Sequence, residues 1–192
     1  MKAVFLTGIK HCGKTTLGKL LAERLGAEFI DTDDVITAQT GMSPREVFLS
    51  QGNTGFQAAE YRACLAVAER AAAQKSPLVA ATGGGICDNP PALDALRGQG
   101  VFVFLDVNEA RILARVLKKA VPLPDGTLGN LPAYIAREKP RTPEDVGRVF
   151  HPVFAAREAK YRALADVVFS PGDCPPEHNA GELAGALAAG AT

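Results

Sequence analysis

The chain has 192 residues, 47% of them hydrophobic, enough to bury one sizeable core without disulfides or a structural metal, so a single domain over 1–192 is expected. Its 21 basic and 21 acidic side chains cancel; no global field favours nucleic acid or an anionic membrane, and any affinity for phosphate must be local. Four cysteines, Cys12, Cys64, Cys87 and Cys174, form no C-x-x-C pair, which argues against a zinc site or a dithiol redox motif and for a reducing cytoplasm. In chain order, Met1-Lys2 leads directly into the apolar run Val4-Phe5-Leu6. That leaves no room for a signal peptide, and with no run of 18 apolar residues the chain is expected to be cytoplasmic, with no membrane partner.

The next stretch organises the rest. Gly8-Ile9-Lys10-His11-Cys12-Gly13-Lys14-Thr15 matches G-x-x-x-x-G-K-[ST] without a mismatch. The glycines let the backbone curl so that successive N–H groups point at anionic oxygens. Lys14 adds positive charge at the β/γ-phosphates, and the Thr15 hydroxyl can hold Mg²⁺. Val4-Phe5-Leu6 before the loop reads as a buried strand, and Leu17, Leu20, Leu21 and Leu25 after it sit at helical spacing. The motif needs that strand–loop–helix order, because the helix N-terminus supplies the last donors and its dipole.

After a helix ending near Gly26, Glu28-Phe29-Ile30 reads as a second strand closed by the acidic turn Asp31-Thr32-Asp33-Asp34. Strands alternating with helices imply a parallel sheet. Ser43-Pro44-Arg45-Glu46 has the N-cap, N1 proline and capping-box glutamate of a helix start. A longer helix is expected from Phe56 to Ala73, with Tyr61, Leu65 and Ala68 at helical spacing and Glu60, Arg62, Glu69 and Arg70 making it amphipathic. Pro77 to Thr82 reads as a third strand that delivers the chain into Gly83-Gly84-Gly85, a corner without a Cβ. Asn89 before Pro90-Pro91 is expected to cap a short helix, Val101 to Leu105 is a buried strand, and Asn108 to Lys119 is a helix ending in the pair Lys118-Lys119. Ala120 to Pro132, with three prolines and two glycines, predicts an irregular mobile loop, a lid. Arg141 to Ala165 is expected to be helical and Asp166 to Phe169 a fifth strand, followed by a turn over 171–176 and a final Ala-rich helix. His11 and Cys12 are expected to point away from any ligand of the loop, and His151 and His178, with no histidine or cysteine at i+3 or i+4, are not expected to be metal ligands.

Several words of the sequence resemble the shikimate kinases among the small P-loop kinases: Gly8 to Thr16; Phe29-Ile30-Asp31-Thr32-Asp33; Thr40-Gly41-Met42-Ser43; Gly52 with Phe56 and Glu60; Gly83-Gly84-Gly85; and Arg157 with Tyr161 four residues on. The resemblance implies a three-layer α/β/α P-loop kinase fold with a five-stranded parallel sheet in the order 2-3-1-4-5, acceptor-binding helices at about 32–62 and a lid at about 120–132. It implies transfer of the ATP γ-phosphoryl group to a hydroxyl of a small cyclic acid, shikimate at its 3-hydroxyl, with Mg²⁺ as cofactor. A loose phosphoryl-transfer transition state asks the protein mainly to position groups and neutralise charge. Lys14 and Asp33 are then the catalytic pair, Asp33 accepting the hydrogen bond of the attacking hydroxyl. Gly8, Gly13, Lys14, Thr15, Thr16 and Arg115 hold the nucleotide, Arg115 on the adenine; Thr15 and Asp31 serve the metal; and Asp33, Gln57, Gly83, Gly84, Gly85 and Arg157 line the acceptor site, Arg157 on its carboxylate. A monomer is expected.

Two positions depart from the resemblance. Gln57 stands where an arginine would reach the acceptor carboxylate, and Val121 stands in the lid where an arginine precedes Pro-Leu. Arg62, Arg45 or another cation at the first place, and Lys118, Lys119, Arg137 or Arg141 moving in on closure at the second, are the candidates to compensate, with Lys14 and Mg²⁺ sufficing as the alternative at the second. Two other readings stay open at this level. One is a kinase of another polar acceptor such as gluconate or a hydroxy amino acid, and the other a non-catalytic nucleotide-binding switch.

Overall fold

The computed structural model describes residues 3–189; Met1-Lys2 and the last three positions of the expected 1–192 domain lie outside it. Five strands form one parallel sheet: β1 (Ala3–Thr7), β2 (Glu28–Asp31), β3 (Leu78–Ala81), β4 (Val101–Leu105) and, after two short hairpin strands, β7 (Val167–Phe169). Their order is β2-β3-β1-β4-β7, so the fifth sheet strand in sequence takes the fifth place as expected. All five residues of β1 are buried, as befits a central parallel strand with helices over both faces.

The helices are α1 (Lys14–Leu25), α2 (Thr32–Thr40), α3 (Pro44–Ala73), α4 (Pro90–Leu96), α5 (Glu109–Lys119), α6 (Ala133–Ala136), α7 (Pro143–Leu164) and α8 (Pro176–Ala189). α1 packs on α8, α2 and α4 on α3, and α5 on α7. The chain leaves β1 toward β2 on one side and returns past β1 to β4 on the other. The carboxyl end of β1 therefore lies at the reversal point where such sheets bind ligands.

Several local expectations need correction. The acidic turn is the start of α2, with Asp31 as N-cap accepting from the Asp33 N–H at 3.1 Å. The capping box of Ser43 and Glu46 is present, but its helix joins the later one into a single 30-residue run, α3, interrupted only at Gly52. There φ is 69° and ψ −169°, a conformation open to glycine and to little else. Asn89 makes no side-chain cap; its amide is drawn instead into contacts with α3. The stretch 120–132 is not wholly irregular, since β5 (Val121–Pro122) and β6 (Leu128–Gly129) pair antiparallel as a short hairpin. Pro122 sits in a two-residue ladder with little hydrogen bonding to lose.

The face of α3 that packs inward is also not the one its large apolar residues suggest. Tyr61 and Leu65 are both 39% exposed, while Ala59, Glu60, Ala63, Cys64, Val67, Ala68 and Ala71 are buried. Small residues let α3 lie close against its neighbours, and Glu60, 1% exposed, goes in with them. Glu60 Oε2 accepts from Asn89 Nδ2 at 2.9 Å, whereas Oε1 is buried without a hydrogen-bond partner. Burial raises its pKa from 4.5 to about 7, against the pull of the Asn89 hydrogen bond and with help from the nearby Asp33 charge. The folded protein thus holds the Glu60 proton more tightly than the unfolded chain. This contribution to stability is complete below pH 4.5 and is lost as pH rises toward about 7. Glu60→Gln keeps the acceptor for Asn89 without the charge. Denaturant titrations are expected to show the variant gaining on the parent protein over that interval by about 3 kcal/mol, with little difference at pH 4.

Candidate active site

Three segments, two loops and the start of α2, meet at the carboxyl ends of β1, β2 and β3. The first, after β1, curls through positive φ at Gly8 (138°), His11 (70°) and Gly13 (106°). Gly13 opens α1 with no side-chain cap and no acidic residue in the first turn. The first helical N–H groups and the dipole are left facing the loop, as an anion site requires. Lys14 is 8% exposed and folds back so that Nζ donates to the carbonyls of Gly8 (2.7 Å) and Ile9 (3.2 Å) and lies 3.6 Å from Cys12 Sγ. Cys12 is buried beneath the loop. Burial and the cations Lys119, Lys10, Lys14 and Arg115 drive the His11 pKa down to about 4, so His11 is neutral near pH 7 and the basic character here belongs to lysine and arginine.

The second, where β2 passes straight into α2, brings two aspartates beside the first. Thr15 Oγ1 donates to Asp31 Oδ2 at 2.8 Å, placing a hydroxyl and a carboxylate together at the mouth of the cradle. Asp33 sits one helical step further in. Burial, then the Asp31 charge, raise its pKa, while Lys10 and Lys14 act in the opposite sense.

The third segment is the glycine triplet, and each glycine is small for a different reason. A Cβ on Gly83 would lie 2.6 Å from Glu60 Oε1 and 3.8 Å from Asp33 Oδ1; one on Gly84 would lie 2.7 Å from the backbone N of Lys10; one on Gly85, 3.1 Å from Arg157 Nη2. None of the three has positive φ, so space rather than backbone conformation demands glycine. Beyond it, a 3₁₀ turn (Ile86–Asp88) and Asn89 tie this loop to α3. Gln57 Nε2 donates to the Asp88 carbonyl and Asn89 Nδ2 to the Gln57 carbonyl, both at 2.9 Å.

One cleft of about 900 Å³ runs across all three segments. It is lined by every residue expected at the site except Gly8, which shapes the loop from behind: Gly13, Lys14, Thr15, Thr16, Asp31, Asp33, Gln57, Gly83, Gly84, Gly85, Arg115 and Arg157. Arg115 Nη1 donates to the His11 carbonyl at 2.8 Å, fastening α5 to the phosphate loop. Of the compensating cations, Arg45, Lys119 and Arg137 line the cleft and Arg62, Lys118 and Arg141 do not. Sequence reasoning missed Lys10, Asp88 and Tyr134, which also line it. Tyr134 lies under the Arg157 guanidinium, 5.3 Å from ring centre to Cζ, and no spacing could have paired residues on α6 and α7 across so irregular a connection. His151 and His178 pair with Glu109 (3.0 Å) and Glu182 (3.4 Å) at the surface. Among the described residues no helix is long and apolar enough to cross a membrane, and no cluster of His, Cys, Asp and Glu could alone hold a metal.

The family model for shikimate kinase matches residues 10–187. The shikimate kinase of Psychrobacter sp. (strain PRwf-1) is 36% identical over 179 residues, 93% of this chain and 87% of that protein. That of Synechococcus elongatus is 43% identical over 113 residues, 59% of this chain and 56% of that protein. Among solved structures, the shikimate kinase of Bacteroides thetaiotaomicron has a TM-score of 0.76 at 25% identity, covering 97% of this chain and 98% of that one. A shikimate kinase from Acinetobacter baumannii in complex with shikimate shares the fold with the same TM-score at 24% identity, over 97% of this chain and 93% of that one. Because the match runs from Lys10 in the phosphate loop to Leu187 in α8, it takes in both ends of the cleft, and the chain belongs to the shikimate kinase family, phosphotransferases with an alcohol group as acceptor.

Proposed function

We propose that the protein transfers the γ-phosphoryl group of MgATP to the 3-hydroxyl of shikimate. The observation that carries this reading is the meeting of Asp33 with the Lys10 and Lys14 charges in the one cleft that also takes in Gly83 to Gly85 and Arg157. A carboxylate with a raised pKa is a better proton acceptor. Asp33 receives the hydrogen bond of the attacking hydroxyl; as its oxygen bonds to the γ-phosphorus, the bond to the ADP oxygen breaks and the proton leaves toward Asp33.

The nucleotide end is a cradle made by Gly8, Gly13, Thr16 and the start of α1. Lys14, already centred in the loop, exchanges its weak contact with Cys12 Sγ for a phosphate oxygen. Thr15 and Asp31 present the oxygen ligands that suit Mg²⁺; when bound, the ion offsets charge on the β- and γ-phosphates. Arg115, anchored on the His11 carbonyl, covers the adenine. Lys119 and Arg137, on either side of the 120–132 lid, supply the cation that Val121 lacks when the lid closes. Asp33 on α2 and Gln57 on α3 belong to the acceptor-binding segment 32–62. Gln57 gives its amide N–H to Asp88 and keeps its amide oxygen for an acceptor hydroxyl, while the N–H groups of Gly83 to Gly85 and the Arg157 guanidinium receive the carboxylate. The reading takes the protein as a monomeric single-domain enzyme, and its balanced charge fits a cytoplasmic protein with no nucleic-acid partner.

Incubation with ATP, Mg²⁺ and shikimate is expected to yield shikimate 3-phosphate by ³¹P NMR; turnover of gluconate or threonine with none of shikimate would end this reading. Asp33→Ala should lower kcat by roughly 10²–10⁴ while leaving the MgATP Kd within about threefold, measured by calorimetry. Gly84→Ala forces a carbon against the Lys10 backbone. It should lower kcat/KM for ATP and for shikimate together by about 10–100-fold, whereas an effect on one substrate alone would show that the two halves are not coupled through this contact.

A further inference from the structure

The acceptor end of the cleft contains an ion-pair cluster that phosphoryl transfer does not itself require. Asp88 Oδ2 accepts from Arg157 Nε at 3.0 Å and forms an ion pair with Nη2, also at 3.0 Å, and Oδ1 accepts from Lys160 Nζ at 2.6 Å. Arg157 Nη1 donates to the Gly84 carbonyl at 3.2 Å. The Arg157 side chain is 19% exposed and that of Asp88 37%, and both line the cleft. The Nε–Nη2 edge of a guanidinium is one of the two edges by which arginine grips a carboxylate ligand. Here a carboxylate of the protein already holds it. Burial would raise the Asp88 pKa, but the hydrogen bond from Lys160 and the Arg157 charge outweigh it and keep the group ionised.

Arg157, Lys160 and Asp88 together carry one net positive charge, and Gln57 adds none. Gln57 also fixes the Asp88 backbone by donating to its carbonyl. The neutral amide and the added carboxylate therefore act in the same direction, lowering the attraction of this end of the pocket for anions, with Arg45 on the cleft lining acting against them. An incoming carboxylate can reach Arg157 only by the N–H groups Asp88 leaves free, with a like charge alongside.

We infer that Asp88 is a specificity-determining residue: by occupying one edge of Arg157 it substitutes for part of the acceptor's own carboxylate, so that the pocket selects shikimate more by its hydroxyls than by its charge. This rests on the acceptor assigned above. Lys160, sharing Asp88, tempers the effect.

The test is kcat/KM for shikimate against its uncharged carboxamide in the full-length protein, with MgATP affinity measured for each variant. The unaltered protein is expected to favour the acid by less than about tenfold, the size of one lost charge-assisted hydrogen bond. Asp88→Asn should raise that preference by about tenfold or more through the KM of the acid, with kcat within about twofold. Lys160→Met, which leaves Asp88 wholly to Arg157, should lower it. A preference that is unchanged or reduced in Asp88→Asn, or unchanged or increased in Lys160→Met, overturns the inference; should Asp88→Asn fail to bind MgATP, the Lys160 variant decides alone. Turnover of neither acceptor by the unaltered protein would instead overturn the shikimate assignment and this inference with it, an outcome distinct from turnover with an unmoved ratio.

Discussion

A side chain at Gly84 has no room because the backbone of Lys10 fills that space, and through this contact the nucleotide end and the acceptor end of the cleft become one site. β1 and β3 are hydrogen-bonded neighbours running in the same direction, so the loops that leave them emerge side by side. Thr82 reinforces the junction, donating from both N–H and Oγ1 to the Leu6 carbonyl at 3.1 and 3.0 Å. Phosphoryl transfer depends on holding donor and acceptor within reach of each other. Backbone against backbone is the least adjustable way a protein has of doing so.

Around that junction the charges are sorted along the cleft. Cations gather at the phosphate loop, where burial, with their combined field, strips His11 of its proton. Carboxylates gather toward the acceptor end: Asp33 and Glu60 with raised pKa values, and Asp88 neutralised by Arg157 and Lys160. A triphosphate and a transferring phosphoryl group bring negative charge to the first region, and an attacking hydroxyl brings a proton to the second. Glu60 extends this pattern into the core, where one carboxylate oxygen has no partner at all, a costly arrangement eased by keeping the proton.

How much of this was legible in the sequence depended on how local each contact is. The phosphate loop was readable because its ring is built from consecutive N–H groups, and Thr15 lies at the start of the very helix the loop opens. The strand order, the aspartates and the triplet came from resemblance, and the site contains them. The face of α3 was misread because Tyr61 and Leu65 are large and apolar, while its neighbours pack closely enough to admit only Ala, Cys, Val and one glutamate. Asn89 was misread because a cap is a local contact, and the competing one lies 29 residues back at Glu60.

By itself, then, the order of residues determined the strand–loop–helix cradle, the alternation of strands and helices, and the absence of a net field, since each depends on neighbours within a few positions or on composition. Only the tertiary structure decided what the long-range charges do. The resemblance to shikimate kinases assigns Arg157 to an acceptor carboxylate, yet nothing in the words that carry that resemblance reveals that Asp88, 69 residues away, already holds one edge of it. Electrostatic pairing falls off over ångströms of space, not positions of chain, so partners brought together by a sheet and two helices leave no mark in the periodicity of either segment.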